Sequence, residues 1–349
     1  MVIVMKPEAQ ESEIQHASDR LVQLGFQVHR VNGVHQTILG AIGDKRGVER
    51  GPLQTMPGVR EVVEITKPYK LASREFKDED TTIRLNGCEI GGRELVTMAG
   101  PCSVEDEAQI HRLAETAAAH GAKVLRGGAF KPRTSPYSFQ GLGEQGLKWM
   151  REAADEHDLL MVTEVMDPTQ TELVASYADI LQIGARNMQN YHLLRSVGQV
   201  DRPVLLKRGL AAKVKEFLMA AEYVMSEGNH RVVLCERGVR TFLDHMRFTL
   251  DVGAIPVIKE HSHLPIIVDP SHAAGVRDYV TSLALAGVAA GADGLIVEIH
   301  DDPETAVSDG SQALTAEMYA QLMREVAGVA QAIGRTMGQS DESPIPVQL

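Results

Sequence analysis

Cationic side chains recur just after apolar stretches in the second part of the sequence. Five of them stand out, namely Arg126, Lys131, Arg186, Lys207 and Arg237. A guanidinium presents a planar fork that matches phosphate and carboxylate groups, and a Lys ammonium adds a compact charge. Any one of these could be an ordinary surface charge, but cations gathered at one place need acidic partners or bound anions. The set therefore predicts a pocket for a ligand with several anionic groups.

A second group of side chains has the chemistry of metal ligands. Its members are Cys102, His272, Glu298 and Asp309. A thiolate, an imidazole and carboxylates suit several first-row divalent ions. Glu298 interrupts the apolar run GLIVEIH, where a buried carboxylate needs a strong partner such as a metal. The other three also have simpler explanations, as a small buried thiol, a capped loop residue and a turn acid. Alternative imidazole ligands are His261, His263 and His300.

The segment KPRTSPYSFQG, residues 131–141, is a long connection stiffened by two prolines. Long ordered loops beside strand ends are commonly functional. Arg133, Thr134 and Ser135 offer a guanidinium and two hydroxyls, which suit a second phosphate group. A proline-rich surface turn is the alternative interpretation.

The elements that must position these residues begin at about Glu94, where the pattern becomes apolar strand, loop and helix, repeated eight times. The strands are predicted at LVTMAG, KVLRGG, LLMVTEV, ILQIGA, PVLLKRG, RVVLCERG, LPIIVDP and GLIVEIH. Such alternation indicates a parallel sheet covered by helices. The region spans roughly 240 residues, close to the ~250 of a (β/α)8 barrel, whose reactive groups lie at the carboxyl ends of the strands. An open doubly wound sheet is the alternative, but no GxGxxG motif follows the first strand.

The first 66 residues have a different pattern, in the order strand, helix, strand, strand, helix, strand. This βαββαβ order predicts a small α+β ferredoxin-like domain ahead of the barrel. We expect four segments in all: this domain at 1–66, a linker and β-hairpin at 67–93 with Asn86-Gly87 near its turn, the (β/α)8 barrel at 94–338, and a flexible tail at 339–349.

Composition excludes some partners and compartments. The 349 residues carry 35 Lys and Arg against 47 Asp and Glu, a formal net charge of -12 that repels nucleic acid and anionic membranes. Three cysteines are too few for a disulfide framework and indicate a reducing compartment. The opening MVIVMKPEAQ lacks the features of a signal peptide, and no apolar run reaches membrane-spanning length. We therefore expect a cytoplasmic protein.

Several motifs taken together resemble the 3-deoxy-7-phosphoheptulonate (DAHP) synthase family. They are AGPCSVE (99–105), RGGAFKPRTSPYSFQG (126–141), QIGARN (182–187), LLKRG (205–209), CERG (235–238), DPSHAAG (269–275) and VEIH (297–300). The resemblance covers the barrel and, more loosely, the N-terminal domain, so it points to the subgroup with a ferredoxin-like regulatory domain. Sister synthases that make the eight-carbon 3-deoxy-8-phosphooctulonate carry a different loop where this chain has KPRTS.

The resemblance implies a transferase that joins phosphoenolpyruvate to erythrose 4-phosphate with release of phosphate. It assigns a divalent cation (Mn, Fe, Co, Zn or similar) to Cys102, His272, Glu298 and Asp309, and the erythrose 4-phosphate group to Arg133, Thr134 and Ser135. It implies that the five cations named above bind phosphoenolpyruvate, together with a backbone group of Ala185. Catalytic roles fall to Cys102, His272, Lys131 as a proton donor, and Glu164 beside the reacting end.

The resemblance also implies feedback control by an aromatic amino acid through the N-terminal domain, and we expect a homo-oligomer, either a dimer or a tetramer. The alternative for that domain is a packing module that only supports oligomerisation. Two rival functions are the eight-carbon synthase, which takes arabinose 5-phosphate, and a regulatory subunit with a vestigial barrel. The intact set of strand-end residues argues against the second rival.

Overall fold

The computed structural model describes residues 1–33, 36–43, 50–63, 68–131, 137 and 139–337. The chain divides into two units, Met1–Asp80 with His261–His263, and Thr81–Glu260 with Leu264–Leu349. Within the described ranges, no helix has an apolar stretch long enough for a bilayer crossing.

The N-terminal unit is a four-stranded antiparallel sheet with an amphipathic helix. Its elements are β1 (Val2–Met5), α1 (Glu11–Gln23), β2 (Gln27–Asn32), β3 (Thr37–Ile42), α2 (Arg50–Gln54) and β4 (Val59–Val63). The strand order is β2-β3-β1-β4. Ile14, Ala17 and Leu21, spaced three or four residues apart on α1, share one buried core with Ile3 and Leu39 of the sheet. The predicted ferredoxin-like βαββαβ order is confirmed.

A short antiparallel hairpin opens the second unit. It consists of β5 (Ile83–Leu85) and β6 (Cys88–Ile90), with Asn86 and Gly87 at the turn in positive-φ conformations. Such conformations match the tight hairpin turn that an Asn-Gly pair favours.

Eight parallel strands follow the hairpin and close into a barrel. They are β7 (Glu94–Gly100), β8 (Val124–Arg126), β9 (Leu160–Glu164), β10 (Ile180–Ile183), β11 (Val204–Lys207), β12 (Val232–Glu236), β13 (Ile266–Val268) and β14 (Gly294–Glu298). Each strand pairs with the next, and β14 pairs with β7, so the predicted barrel is confirmed. This closing register sets Glu298 beside Gly100.

Helices cover the outside of the barrel strands. They are α3 (Glu107–Ala119), α4 (Glu144–Glu156), α5 (Thr171–Tyr177), α6 (Tyr191–Gly198), α7 (Val214–Ser226), α8 (Ala254–His261), α9 (Pro270–Ala274), α10 (Val280–Ala289) and α11 (Ala316–Ala332). After α11, the short strand β15 (Thr336–Met337) pairs in parallel with the start of β7. Asp106 caps the start of α3, because its carboxylate accepts from Gln109 N at 2.8 Å.

Apolar side chains fill the inside of the barrel. Val96, Val124, Leu160 and Ile180, at or near the amino ends of their strands, belong to the same buried cluster as the hairpin residues Ile83, Cys88 and Ile90. The hairpin therefore packs on the amino-terminal end of the barrel interior. The carboxyl ends of the strands are left to carry polar side chains.

Candidate active site at the carboxyl ends of the barrel strands

The four predicted metal ligands come from three stretches at one end of the barrel. Cys102 lies two residues after β7, His272 lies within α9 directly after β13, and Glu298 is the last residue of β14. Asp309 lies in the following loop, in the left-handed backbone region at φ 54°. Closure of the barrel brings the ends of β13, β14 and β7 next to one another.

Three of these side chains form one compact donor cluster. Ligand atoms of Cys102, Glu298 and Asp309 all lie within 4.8 Å of one another, and the Cys102 thiol donates to Asp309 Oδ2 at 3.3 Å. His272 adjoins them, with Nε2 3.5 Å from Glu298 Oε1. Burial, with Glu298 close by, raises the pKa of the Cys102 thiol to about 11. The sulfur of Cys102 and the carboxylate oxygens of Glu298 and Asp309 are thus close enough to bind one divalent cation, and the imidazole of His272 lies beside Glu298 but outside this compact group.

Lys131 joins the donor cluster to a neighbouring cationic pocket. Its ammonium donates to both the carbonyl oxygen and the sulfur of Cys102, each at 2.9 Å. The pocket is lined by Cys102, Arg126, Lys131, Glu164, Gln182, Ala185, Arg186, Lys207, Arg237 and His272, together with glycines 127, 128 and 184. All five cations predicted from the sequence therefore line one pocket.

Lys207 and His272 share a buried carboxylate, Asp269. Asp269 Oδ2 lies 2.5 Å from Lys207 Nζ and 2.8 Å from His272 Nδ1. Burial alone would raise the pKa of Asp269, but His272 and Lys207 hold it well below its usual range. Burial lowers the pKa of His272 despite its acidic neighbours. Asp269 therefore stays ionised beside the imidazole, and its Oδ1 accepts from the backbone N of His272 at 2.9 Å.

Arg237 is a buried cation whose charge is incompletely matched. Its guanidinium stacks 4.3 Å from the ring centre of Phe248, and Nη1 has no hydrogen-bond partner among the described residues. Burial lowers the pKa of Arg237 below its ordinary value. Arg126 differs, since its Nη1 donates to Glu298 Oε1 at 3.0 Å. The unmatched donor of Arg237 indicates that the pocket is built to receive an anion.

Glu164 ends β9 beside Gln182 of β10, as the parallel register of the two strands requires. A Cβ atom at Gly184 would lie 2.1 Å from Glu164 Oε1, so only glycine there leaves room for this carboxylate. Glu164 is thereby held at the wall of the pocket. Neither Gln182 nor Gly184 was singled out from the sequence, although both belong to the QIGARN segment.

Other sequence predictions have mixed outcomes. Arg133, Thr134 and Ser135 lie outside the described residues, as does the predicted tail. Of the alternative imidazoles, His300 Nε2 lies 3.0 Å from Gln109 Nε2 and 3.2 Å from Glu105 Oε1. His261 and His263 belong to the other unit. Two residues near the donor cluster, Arg247 and Gln312, were missed because neither follows a strand and neither is a metal-ligand type.

A (β/α)8 barrel with a cationic pocket at the carboxyl ends of its strands is typical of an enzyme that acts on anionic substrates, and the adjoining thiol and carboxylate cluster is a candidate metal site. Residues 77–333 match the DAHP synthetase I family, and residues 1–67 match the DAHP synthase ferredoxin-like domain. The chain belongs to the DAHP synthetase I family.

The chain is more similar to individual seven-carbon aldolases than to an eight-carbon one. The chain is 48% identical over 334 residues to the phospho-2-dehydro-3-deoxyheptonate aldolase of Thermotoga maritima, covering 96% of this chain and 99% of that protein. The crystal structure of a Thermotoga maritima DAHP synthase matches with a TM-score of 0.77 at 47% identity, over 96% of this chain and 98% of that one. A 2-dehydro-3-deoxyphosphooctonate aldolase of Koribacter versatilis is 30% identical over 271 residues, covering 72% of this chain and 96% of that protein.

Proposed function

We propose that this pocket condenses phosphoenolpyruvate with erythrose 4-phosphate and water, giving 3-deoxy-7-phosphoheptulonate and phosphate. This reaction is the first step of the shikimate pathway to aromatic amino acids. The observation that carries the proposal is the unmatched Nη1 donor of buried Arg237 in a pocket lined by four further cations. A substrate bearing both a carboxylate and a phosphate supplies the missing negative charge.

The two substrates occupy different parts of the site. Phosphoenolpyruvate binds through Arg126, Lys131, Arg186, Lys207 and Arg237, with a backbone group of Ala185. The phosphate of erythrose 4-phosphate binds to Arg133, Thr134 and Ser135, an assignment supported by the sequence resemblance alone. Holding two anions side by side costs repulsion, which the cations offset while they fix the geometry for attack.

The donor cluster fits a divalent cation. Cys102, Glu298 and Asp309 place ligand atoms within 4.8 Å in a largely buried position, and His272 supplies a nitrogen donor. Arg126, Lys131 and Arg247 each donate to one member of this cluster, namely Glu298, Cys102 and Asp309, and so hold the donor atoms close together. Manganese, iron, cobalt and zinc all suit mixed ligands of this kind. When bound, the ion polarises the aldehyde oxygen of the aldose phosphate.

The chain's own residues then act on the reacting groups. The cations align C3 of phosphoenolpyruvate with the aldehyde carbon, and positive charge develops at C2 as the new bond forms. Glu164 orients the water that adds to C2, and the resulting tetrahedral intermediate expels phosphate. Lys131, whose ammonium lies 2.9 Å from Cys102 Sγ, delivers a proton to the former aldehyde oxygen.

A phosphate-release assay tests this function. Purified protein should release phosphate from phosphoenolpyruvate with erythrose 4-phosphate and much less with arabinose 5-phosphate. Activity should vanish on chelation, return with added Mn²⁺ or Co²⁺, and stay absent in Cys102→Ala. Preference for arabinose 5-phosphate would establish the eight-carbon synthase instead, and full activity of metal-stripped Cys102→Ala would remove the metal assignment.

We also propose how the protein is regulated, how it assembles and where it works. The N-terminal domain binds an aromatic amino acid and controls the barrel, and the protein works as a dimer or tetramer. Its four segments are the ferredoxin-like domain at 1–66, the linker and hairpin at 67–93, the barrel at 94–338 and the tail at 339–349. All three cysteines are free and buried, which supports a reducing compartment such as the cytoplasm.

A further inference from the structure

Gln312 occupies a buried position directly behind one of the candidate metal ligands. Its side chain is 1% exposed, and its Nε2 donates to Glu298 Oε2 at 2.7 Å. Its Oε1 accepts from Arg247 Nη1 at 3.0 Å. Only one orientation of this amide fits between the Glu298 carboxylate and the Arg247 guanidinium. The flipped amide would place its oxygen against the carboxylate and its NH2 group against the guanidinium. Gln312 thus fixes the Oε2 end of Glu298, while Oε1 faces Arg126 and His272.

Arg247 extends this contact to a second candidate ligand. The same Nη1 that donates to Gln312 also donates to Asp309 Oδ1 at 3.2 Å. Asp309 has a left-handed backbone conformation (φ 54°, ψ 26°), which residues other than glycine rarely adopt and which surrounding contacts must maintain. Arg247 supplies such a contact from a different loop, 62 residues away in sequence.

The backbone of Arg247 is tied to the segment that carries the imidazole ligand. Arg247 N donates to Ala274 O at 3.0 Å, two residues after His272. A Cβ atom at Gly275, which has φ +71°, would lie 2.5 Å from Arg247 Cβ, so glycine permits this close approach. Ser311 Oγ also donates to Gly275 O at 3.0 Å. Contacts of Arg247 and Gln312 therefore reach the segments of His272, Glu298 and Asp309.

We propose that Gln312 and Arg247 form a positioning clamp that holds Glu298 and Asp309 in the geometry of a divalent metal site. This inference rests on the metal role in the proposed function. Neither residue lines the substrate pocket, so the clamp acts on the ion through its ligands. Outer partners of metal ligands typically contribute 10–100-fold to metal affinity. Loss of either clamp residue should therefore weaken metal binding. Loss of Gln312 should do so while leaving the KM for phosphoenolpyruvate, measured at saturating metal, unchanged.

Co²⁺ binding to the metal-free protein tests the clamp. The parent, Gln312→Met, Arg247→Met and the double variant are titrated with Co²⁺, following the heat of binding and the thiolate-to-cobalt absorption. Each single change should weaken Co²⁺ affinity about 10–100-fold. The Co²⁺ affinity of the double variant should lie within about threefold of the lower of the two single-variant affinities. This is because both residues act through one chain of contacts. Metal-free melting temperatures show whether each variant is folded.

Arg277→Met is the matched control, since Arg277 Nη2 donates to Gly310 O in the same loop but contacts none of the four candidate ligands. It should bind Co²⁺ as the parent does. Parent-like affinity in Arg247→Met, whose side chain is partly exposed and whose removal should not impair folding, would overturn the clamp. Equal weakening in Arg277→Met would also overturn it, because general loosening of the loop would then be responsible. If Cys102→Ala binds Co²⁺ like the parent, the proposed metal site itself fails, which is a separate result.

Discussion

Arg126 donates from Nη1 to Glu298 Oε1 at 3.0 Å across 172 residues of sequence, and both side chains are buried. One residue belongs to the predicted substrate pocket and the other to the donor cluster. Burial tends to lower the pKa of Arg126, but Glu298 raises it above its ordinary value. We therefore expect this ion pair to couple binding of the anionic substrate to the charge of the proposed metal site.

Replacing Arg126 should affect both binding and stability. Arg126→Met leaves Glu298 with fewer compensating charges, and breaking a buried pair of this kind costs about 3–5 kcal/mol. We expect the KM for phosphoenolpyruvate to rise at least about tenfold through the loss of a charge-assisted contact. Urea unfolding and steady-state kinetics measure the two effects.

The control for Arg126 is Arg151→Met. Arg151 pairs with Asp179 at 2.7 Å near the amino-terminal ends of the strands, away from the pocket lining. This change should lower stability without altering the KM. An unchanged KM in Arg126→Met would contradict the proposed role of Arg126.

Arg237 should show opposite effects on stability and on substrate binding. Arg237→Met removes a buried, incompletely paired cation, so we expect the melting temperature to stay level or rise. The KM for phosphoenolpyruvate should rise at least about tenfold, and Arg237→Lys should not restore it, because the fork and the stacking on Phe248 are both lost. Thermal melting and kinetics check both statements. A parent-like KM for phosphoenolpyruvate in Arg237→Lys would show that a point charge at this position is enough for substrate binding.

The two substrates should be separable by mutation of the KPRTS segment. Arg133→Ala should raise the KM for erythrose 4-phosphate by about tenfold or more, the cost of one charge-assisted pair, and change that for phosphoenolpyruvate little. Initial rates are measured while each substrate is varied at saturating concentrations of the other. Equal changes in both KM values would remove the assignment of this segment to the aldose phosphate.

Removal of the N-terminal domain should separate catalysis from control. A chain beginning at residue 67 should retain phosphate release but lose inhibition by tyrosine or phenylalanine, because the barrel closes on itself through β14 and β7. Inhibition curves of the full and shortened chains provide the measurement. Identical curves would place the control site elsewhere.

Acidification should destabilise the N-terminal unit through His29. Burial lowers the pKa of His29 below its ordinary 6.5, so the proton binds more weakly to the folded than to the unfolded chain. The stability from this group is full above about pH 6.5 and declines as the pH falls below it. Between pH 7.5 and 5.5, the melting temperature should fall less in His29→Gln than in the parent. The control is His16→Gln, at an exposed site on α1, and its melting temperature should fall as much as that of the parent. An equal fall of the melting temperature in His29→Gln would contradict the prediction.

The sequence by itself determined the order of the elements and the chemistry at the strand ends. Apolar strands alternating with helices specify a covered parallel sheet because each strand is buried on both faces. Residues such as Arg126, Lys207 and Glu298 could be identified because they follow or end those strands, where a barrel collects its functional groups. The Asn86-Gly87 pair also indicated the hairpin, but not that Ile83 and Ile90 pack into the barrel interior.

Only the tertiary structure decided how the loops act on the site. The contacts of Arg247 with Asp309 and Gln312 join segments more than sixty residues apart. The left-handed conformation of Asp309 and the close approach over Gly275 depend on loop packing, which no repeating pattern of residues encodes. A glutamine and an arginine in irregular loops carry no periodic signal and no ligand chemistry of their own. Their role depends on the distances that closure of the barrel and packing of the loops impose.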